Sequence, residues 1–267
     1  MKTQFQNSFK SQPVKNRTFG VLFFILFMSL ISRNSITAQT RVTDLNPGTG
    51  NSVPQSLVVY SGQLFFSATD GATGSELYAF NGTSASLKAD VRVGTLGSNP
   101  SYLTVYNSKL YFQASDGVFG TELWVYDGIS ASRVSDISTG AGNASPQSLY
   151  VFGGKLYFTA NNGTAGPELY SYDGVTISFI ADIRPGAIGS GPSSFVGFAG
   201  DLYFTANDGT NGSELWKYNG STVSLAADIN PGVGSSTPQQ LTVYNGKIYF
   251  NANNGTSGQE LFSYDGS

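Results

Sequence analysis

Five glutamates stand at identical spacing in this chain: Glu76, Glu122, Glu168, Glu214 and Glu260, each 46 residues from the next. Carboxylates in pairs act as acid and base in glycoside hydrolysis. Fivefold repetition speaks against that use here. Two carboxylates need different environments to take different roles, and near-identical units supply near-identical environments. The structural reading is that each glutamate accepts backbone N–H groups from a neighbouring loop and locks one unit to the next. Asp44, Asp90, Asp136, Asp182 and Asp228 recur at the same interval and are read alike, as fixing the turn into the next unit.

A second recurrent set lies just before the glutamates: Asp70, Asp116, Asn162, Asp208 and Asn254, each followed by glycine. A ring of such oxygens beside the glutamates could hold calcium, which takes six to eight oxygen ligands, or could bond sugar hydroxyls. The plainer alternative is that Asx-Gly makes the turn, its side chain bonding its own backbone. No unit concentrates several carboxylates as a dedicated calcium loop does. The aromatics Tyr78, Trp124, Tyr170, Trp216 and Phe262 suit sugar stacking in principle. They share a face with Phe80 and Tyr126, which makes them core. Asp201 departs from the repeat beside a tight turn and reads as a solvated charge.

Two absences narrow the chemistry. The chain has no cysteine and no histidine. That removes disulfides, thiolate metal sites, imidazole ligands and Ser-His-Asp triads, and leaves serine and threonine with no base to activate them.

These residues need elements to place them. Asp44 and Pro54 recur with the glutamates, and stacking the chain at this period requires no gap, so the chain reads as repeats. The units are 44–89, 90–135, 136–181, 182–227 and 228–267, the last with 39–43 added. Each reads as four short strands. In the third, Ser148–Phe152 is followed by the Gly153-Gly154 turn, Lys155–Ala160, a Gly/Asn loop, Glu168–Tyr172, the Asp173-Gly174 turn and Thr176–Ala181. Runs such as Leu156-Tyr157-Phe158 are apolar on both faces, so the sheets must be covered on both sides. The fold expected is an all-β, five-bladed β-propeller of four-stranded repeats. Ser267 aligns with Ser221, before a fourth strand, while Arg41-Val42-Thr43-Asp44 matches Arg133-Val134-Ser135-Asp136. The N-terminal strand is therefore expected to close the last blade. The alternatives are a fragment of a larger propeller and an open β-repeat array. With the first strands lining the axis of a propeller, the tight turns fall on one face and the longer loops, 161–167 and 182–192, on the other, where a ligand would be sought.

Residues 1–38 read as a secretory signal peptide. Lys2, Lys10, Lys15 and Arg17 precede the apolar run 19–31, and Ala38 offers a cleavage point. That run is short for a membrane span, which needs about 20 residues, so membrane contact is expected only through the leader before cleavage. Five of the 14 basic residues lie in this segment and none of the 17 acidic ones does, which leaves a net charge of −8 from residue 39 onward. Such a surface repels phosphate backbones and excludes a nucleic-acid partner.

Glu122-Leu123-Trp124-Val125-Tyr126-Asp127-Gly128 and its four copies resemble the ELWxxDGT repeat of exported bacterial proteins. Tyr78, Tyr170 and Phe262 replace the tryptophan in other copies, and Asn81 and Asn219 replace the aspartate. The resemblance implies a secreted or cell-surface repeat protein, often followed by a sorting domain. The expectation is a non-enzymatic binding scaffold for glycans or surface proteins. The alternatives are a lectin-like multivalent sugar binder, with or without calcium, and a glycan-active hydrolase.

Overall fold

In each repeat, runs of aromatic and aliphatic residues end at Gly- or Asx-bearing turns, so the repeats have no room for a helix and fold as short antiparallel strands. The computed structural model describes residues 39–267, and the leader expected over 1–38 lies outside them. Among the described residues no helix is long and apolar enough to cross a membrane.

The first sheet comprises β1 (Gln55–Tyr60), β2 (Gln63–Thr69), β3 (Ser75–Phe80) and β4 (Ala85–Ala89). The second holds β5 (Ser101–Tyr106), β6 (Lys109–Ser115), β7 (Thr121–Tyr126) and β8 (Ala131–Arg133). The third holds β9 (Gln147–Phe152), β10 (Lys155–Asn161), β11 (Pro167–Tyr172) and β12 (Ile177–Ala181). The fourth holds β13 (Ser193–Phe198), β14 (Asp201–Asn207), β15 (Ser213–Tyr218) and β16 (Val223–Ala227). The fifth has three strands, β17 (Gln239–Tyr244), β18 (Lys247–Asn253) and β19 (Gln259–Tyr264). Every sheet is an up-and-down meander, a blade-like unit of β-propeller type.

The hairpin between the first two strands of each sheet is set by two residues of positive φ, such as Asn107 and Ser108 at 46° and 56°. Two positive φ values in a two-residue loop match the twist of the flanking strands. A further left-handed residue sits inside each first strand: Ser56, Tyr102, Ser148, Ser194 and Gln240, with φ of 53 to 56°. The pairing register slips at those points, so each first strand carries a bulge that bends it.

Sheets pack face to face through alternate residues. Leu77 and Phe65 of the first sheet meet Leu110, Phe112 and Trp124 of the second. The same contact recurs between the second and third, third and fourth, and fourth and fifth sheets. First strands neighbour one another in the order β1, β5, β9, β13, β17, with no comparable contact between β17 and β1.

The expected closing strand is not formed. Residues 39–43 have no strand structure, and Val42 and Thr43 lie with Leu45 beside Leu64 and Phe66 of the first sheet. The segment has the residues of a fourth strand, but that strand forms only against a third strand, and β19 is at the other end of the row.

Candidate functional site

The repeated carboxylates sit where the third strand of one unit meets the linker to the next. Glu76, Glu122, Glu168 and Glu214 are fully buried. Glu76 Oε2 accepts from Val91 N–H at 3.0 Å, and its Oε1 accepts from Ser98 N–H at 2.6 Å. The Ser98 hydroxyl donates to Oε2 at 2.5 Å. Glu214 repeats this with Ile229 N–H and Ser236 N–H, both at 2.8 Å, and with the Ser236 hydroxyl. Glu168 takes Ile183, Arg184 and Ser190 N–H groups and the Ser190 hydroxyl. Each carboxylate thus clasps the loop that leads into the following sheet. The same loop is held from the far side, since Ser98 O accepts from Ser115 N–H of the second sheet.

Glu122 differs in one atom. Ala144 occupies the place of Ser98, Ser190 and Ser236, so no hydroxyl reaches it. Its donors are Ile137 N–H at 3.0 Å and the Ser138 and Ala144 N–H groups at 3.3 Å. Burial raises the carboxyls of Glu76 and Glu168, and their serine hydroxyls partly offset it. Burial pushes Glu122 up to about 7, with only backbone groups in opposition. The serines carry a weak sequence signal that is easily passed over: they recur two residues before the repeated proline.

The Asx set lies in the loops between second and third strands. Asp70 Oδ1 accepts from Ala72 N–H at 2.8 Å and Thr73 N–H at 2.9 Å. Those two backbone groups hold its carboxyl down at about 2. Asp116 and Asp208 bind the two N–H groups that follow in the same way; burial works against them, but the backbone donors prevail and the carboxyls are lowered. Asn162 and Asn254 do likewise with their amide oxygens. These oxygens are engaged in their own turns. Among the described residues no group of three or more acidic side chains converges as a metal site would require.

Asp44, Asp90, Asp136, Asp182 and Asp228 stand at the start of the loop into each unit. Asp136 faces Arg133 at 3.5 Å and accepts from Gly140 N–H at 3.2 Å. Asp201 is paired with Lys217 at 3.6 Å, a cross-strand contact that its position beside a turn did not suggest. Tyr78, Trp124, Tyr170 and Trp216 are buried, whereas Phe262 is only half-buried.

At four junctions the loop before the third strand touches the loop that leads into the next unit. A Cβ on Gly74 would lie 2.3 Å from Gly97 N, and one on Gly166 would lie 2.4 Å from Gly189 N. An open cleft of about 330 Å³ lies between the linker 135–137 and the third sheet, lined by Ser135, Asp136, Ile137, Asn162, Tyr170, Ile177 and Phe179. Tyr170 is 4% exposed and its hydroxyl has no protein partner, nor has Ser135 Oγ. Burial, then the charges of Glu168 and Asp182, push that phenol up to about 12, so it stays a neutral donor.

No family model matches this sequence, and no curated protein matches it either. Among solved structures, the Mycobacterium tuberculosis puromycin-hydrolyzing peptidase is similar over 80% of this chain and 36% of its own, at 10% identity and a TM-score of 0.53. The β-propeller domain of the Trilobed protease from Pyrococcus furiosus matches over 80% of this chain and 67% of its own, at 14% identity and a TM-score of 0.48. The computationally designed Ika8 protein matches over 80% of this chain at 14% identity and a TM-score of 0.44, and this chain covers only 62% of its length. At such identities the likeness to the peptidase concerns the fold alone: an all-β array of blade-like sheets, on which unrelated functions are grafted.

Proposed function

We propose that this chain is an exported, non-enzymatic interaction scaffold whose blades offer their paired long loops to glycans or proteins at a cell surface. One observation carries the reading: four of the five repeated glutamates, and the Asx side chains beside them, are already committed. Glu76, Glu122, Glu168 and Glu214 are buried in linker clasps, and the Asx side chains close their own turns. A fully buried carboxylate that already accepts three or four protein hydrogen bonds is out of reach of a substrate proton. Export rests on the leader pattern and on the ELWxxDGT-like repeat. Similar sites on several units would act by avidity, each of them weak.

A saccharide-binding form of this reading is favoured by the cleft at Tyr170. Its volume is far above what a single water needs and at the lower end of small-ligand sites. Its lining combines a phenol, a hydroxyl, a carboxylate and an amide with the apolar side chains of Ile137, Ile177 and Phe179. That mixture suits a sugar ring, which has polar edges and C–H faces.

A glycan array probed with and without a calcium chelator, alongside a reducing-sugar assay on the same glycans, tests both parts. Binding without turnover is expected, with hits lost in Asn162→Ala and Tyr170→Phe if the cleft is used. Release of reducing ends by the wild type would sink the non-enzymatic reading. Array hits indifferent to both substitutions would remove the cleft from it.

A further inference from the structure

The clasp seen at four junctions has its two halves exposed at the two ends of the row of sheets. Glu260 is in register with the four buried glutamates, yet it is exposed. Leu261 is 76% exposed, whereas Leu77, Leu123, Leu169 and Leu215 at the same position are fully buried. Tyr244, the counterpart of buried Tyr60 and Tyr106, is likewise open. Each of those buried leucines packs into the facing sheet: Leu77 is clustered with Leu110, Phe112 and Tyr126, with Val91 and Leu103 at the edge.

The first sheet presents the matching receptor. Leu45, Leu57, Leu64, Phe66 and Phe80 occupy the register of Val91, Leu103, Leu110, Phe112 and Tyr126, and they surround an apolar pocket of about 130 Å³. Beside it, Leu45 and Ser52 stand in register with Val91 and Ser98, whose N–H groups and hydroxyl bind Glu76. One end therefore offers a leucine knob and a carboxylate. The other offers a hole for the knob and the donors for the carboxylate. Within one chain the two do not meet.

We infer that copies of this chain associate head to tail, the fifth sheet of one seating on the first sheet of the next. Leu261 enters the pocket of the second copy. Glu260 takes Leu45 N–H, Ser52 N–H and the Ser52 hydroxyl of that copy, and the Gln259 carbonyl accepts from its Val53 N–H, as Ser75 O does from Asn99 N–H within the chain. Val42 and Thr43 of the second copy hold the register of Lys88 and Ala89, so the segment ahead of Asp44 adds to the open edge of β19 as its fourth strand. The contact is heterologous, and it closes into a ring or extends as a filament according to the rotation per copy.

Sedimentation velocity of the purified protein over ~1–100 μM is the first test. Species heavier than a single chain are expected, and they are lost in Leu261→Arg. That side chain is open in the single chain, so the variant keeps its far-UV spectrum. A second test uses the absence of native cysteine: Glu260→Cys and Ser52→Cys chains are mixed and treated with a short bismaleimide. A linked pair containing one of each is expected, at several times the yield of either variant alone. A wild type that stays monomeric throughout overturns the inference, as does assembly that survives Leu261→Arg. Linkage confined to the doubly substituted chain would place the contact within one molecule and overturn it as well.

Discussion

Replacing Ala144 by serine tests the linker clasp at the one junction where it is incomplete. Glu122 is fully buried, its nearest loop donors stand at 3.0 to 3.3 Å, and its carboxyl is raised by burial from 4.5 to about 7. A carboxyl with a raised folded-state pKa favours the fold when protonated. Its contribution is complete below pH 4.5 and is lost as the pH climbs to about 7. At 1.36 kcal/mol per unit the loss is roughly 3 kcal/mol at most. A hydroxyl aimed at the carboxylate, as Ser98 is at Glu76, recovers about 1.5 kcal/mol, the usual worth of a hydrogen bond to a charged group. The added atom fits, because Ser98, Ser190 and Ser236 occupy the same buried place in sister units. Urea unfolding of wild type and Ala144→Ser at pH 4.5 and pH 8 reads the effect. Little difference is expected at pH 4.5 and about 1.5 kcal/mol of added stability at pH 8, or roughly 3–6 °C in Tm for a domain of this size. An equal gain at both pH values would mean that the serine merely packs better. A loss at pH 8 would refute the charge-based account.

Three further outcomes follow from the same contacts. Glu214→Ala leaves Ile229 N–H, Ser236 N–H and the Ser236 hydroxyl facing a dry gap, and should cost about 3 kcal/mol or more, whereas Glu260→Ala in dilute protein should cost under about 0.5 kcal/mol. Asp208→Ala removes the acceptor for Thr210 and Asn211 N–H and should cost about 1 kcal/mol above pH 4; because the folded carboxyl is lowered, the penalty shrinks as the pH falls below that, and millimolar calcium should leave Tm unchanged in either protein. Gly120→Ala places a Cβ 1.8 Å from Gly142 O at a φ of 70°, and thermal melting should show a loss of about 2 kcal/mol or more.

Much of this molecule was legible from residue spacing because Gly, Asx and Pro punctuate it so regularly. In the third unit the strand bounds expected from the turn residues fall within one residue of those observed at β9, β10, β11 and β12. Local backbone preference sets those bounds, and local preference is written in the chain. The left-handed residues within the first strands were not legible. Tyr102, Ser148 and Gln240 have no glycine-like freedom, and their backbone is set by the bulge at which each first strand slips register against the second. Nor was the missing closure: Val42 and Thr43 resemble strand-end residues whichever sheet they join, and their place depends on which partner comes within reach. The shortness of β8 is a further case. Arg133, its last residue, turns to the nearby Asp136 and lies 3.7 Å over the Phe119 ring in the loop between β6 and β7.

The clasp reaches only 15 and 22 residues ahead of each glutamate, so no blade contributes to a junction beyond its immediate neighbours. Removing 90–135 as a block would bring Glu76 up to the loop that now serves Glu122, with every donor still in phase. Doubling that block would likewise insert one more complete joint. Such a chain can gain or shed whole modules by recombination without relearning how to fold, while an indel that falls between a glutamate and the loop it binds breaks that one joint and leaves the later ones intact. Whole repeats of 46 codons are therefore the length change that adds or removes a blade with every joint complete.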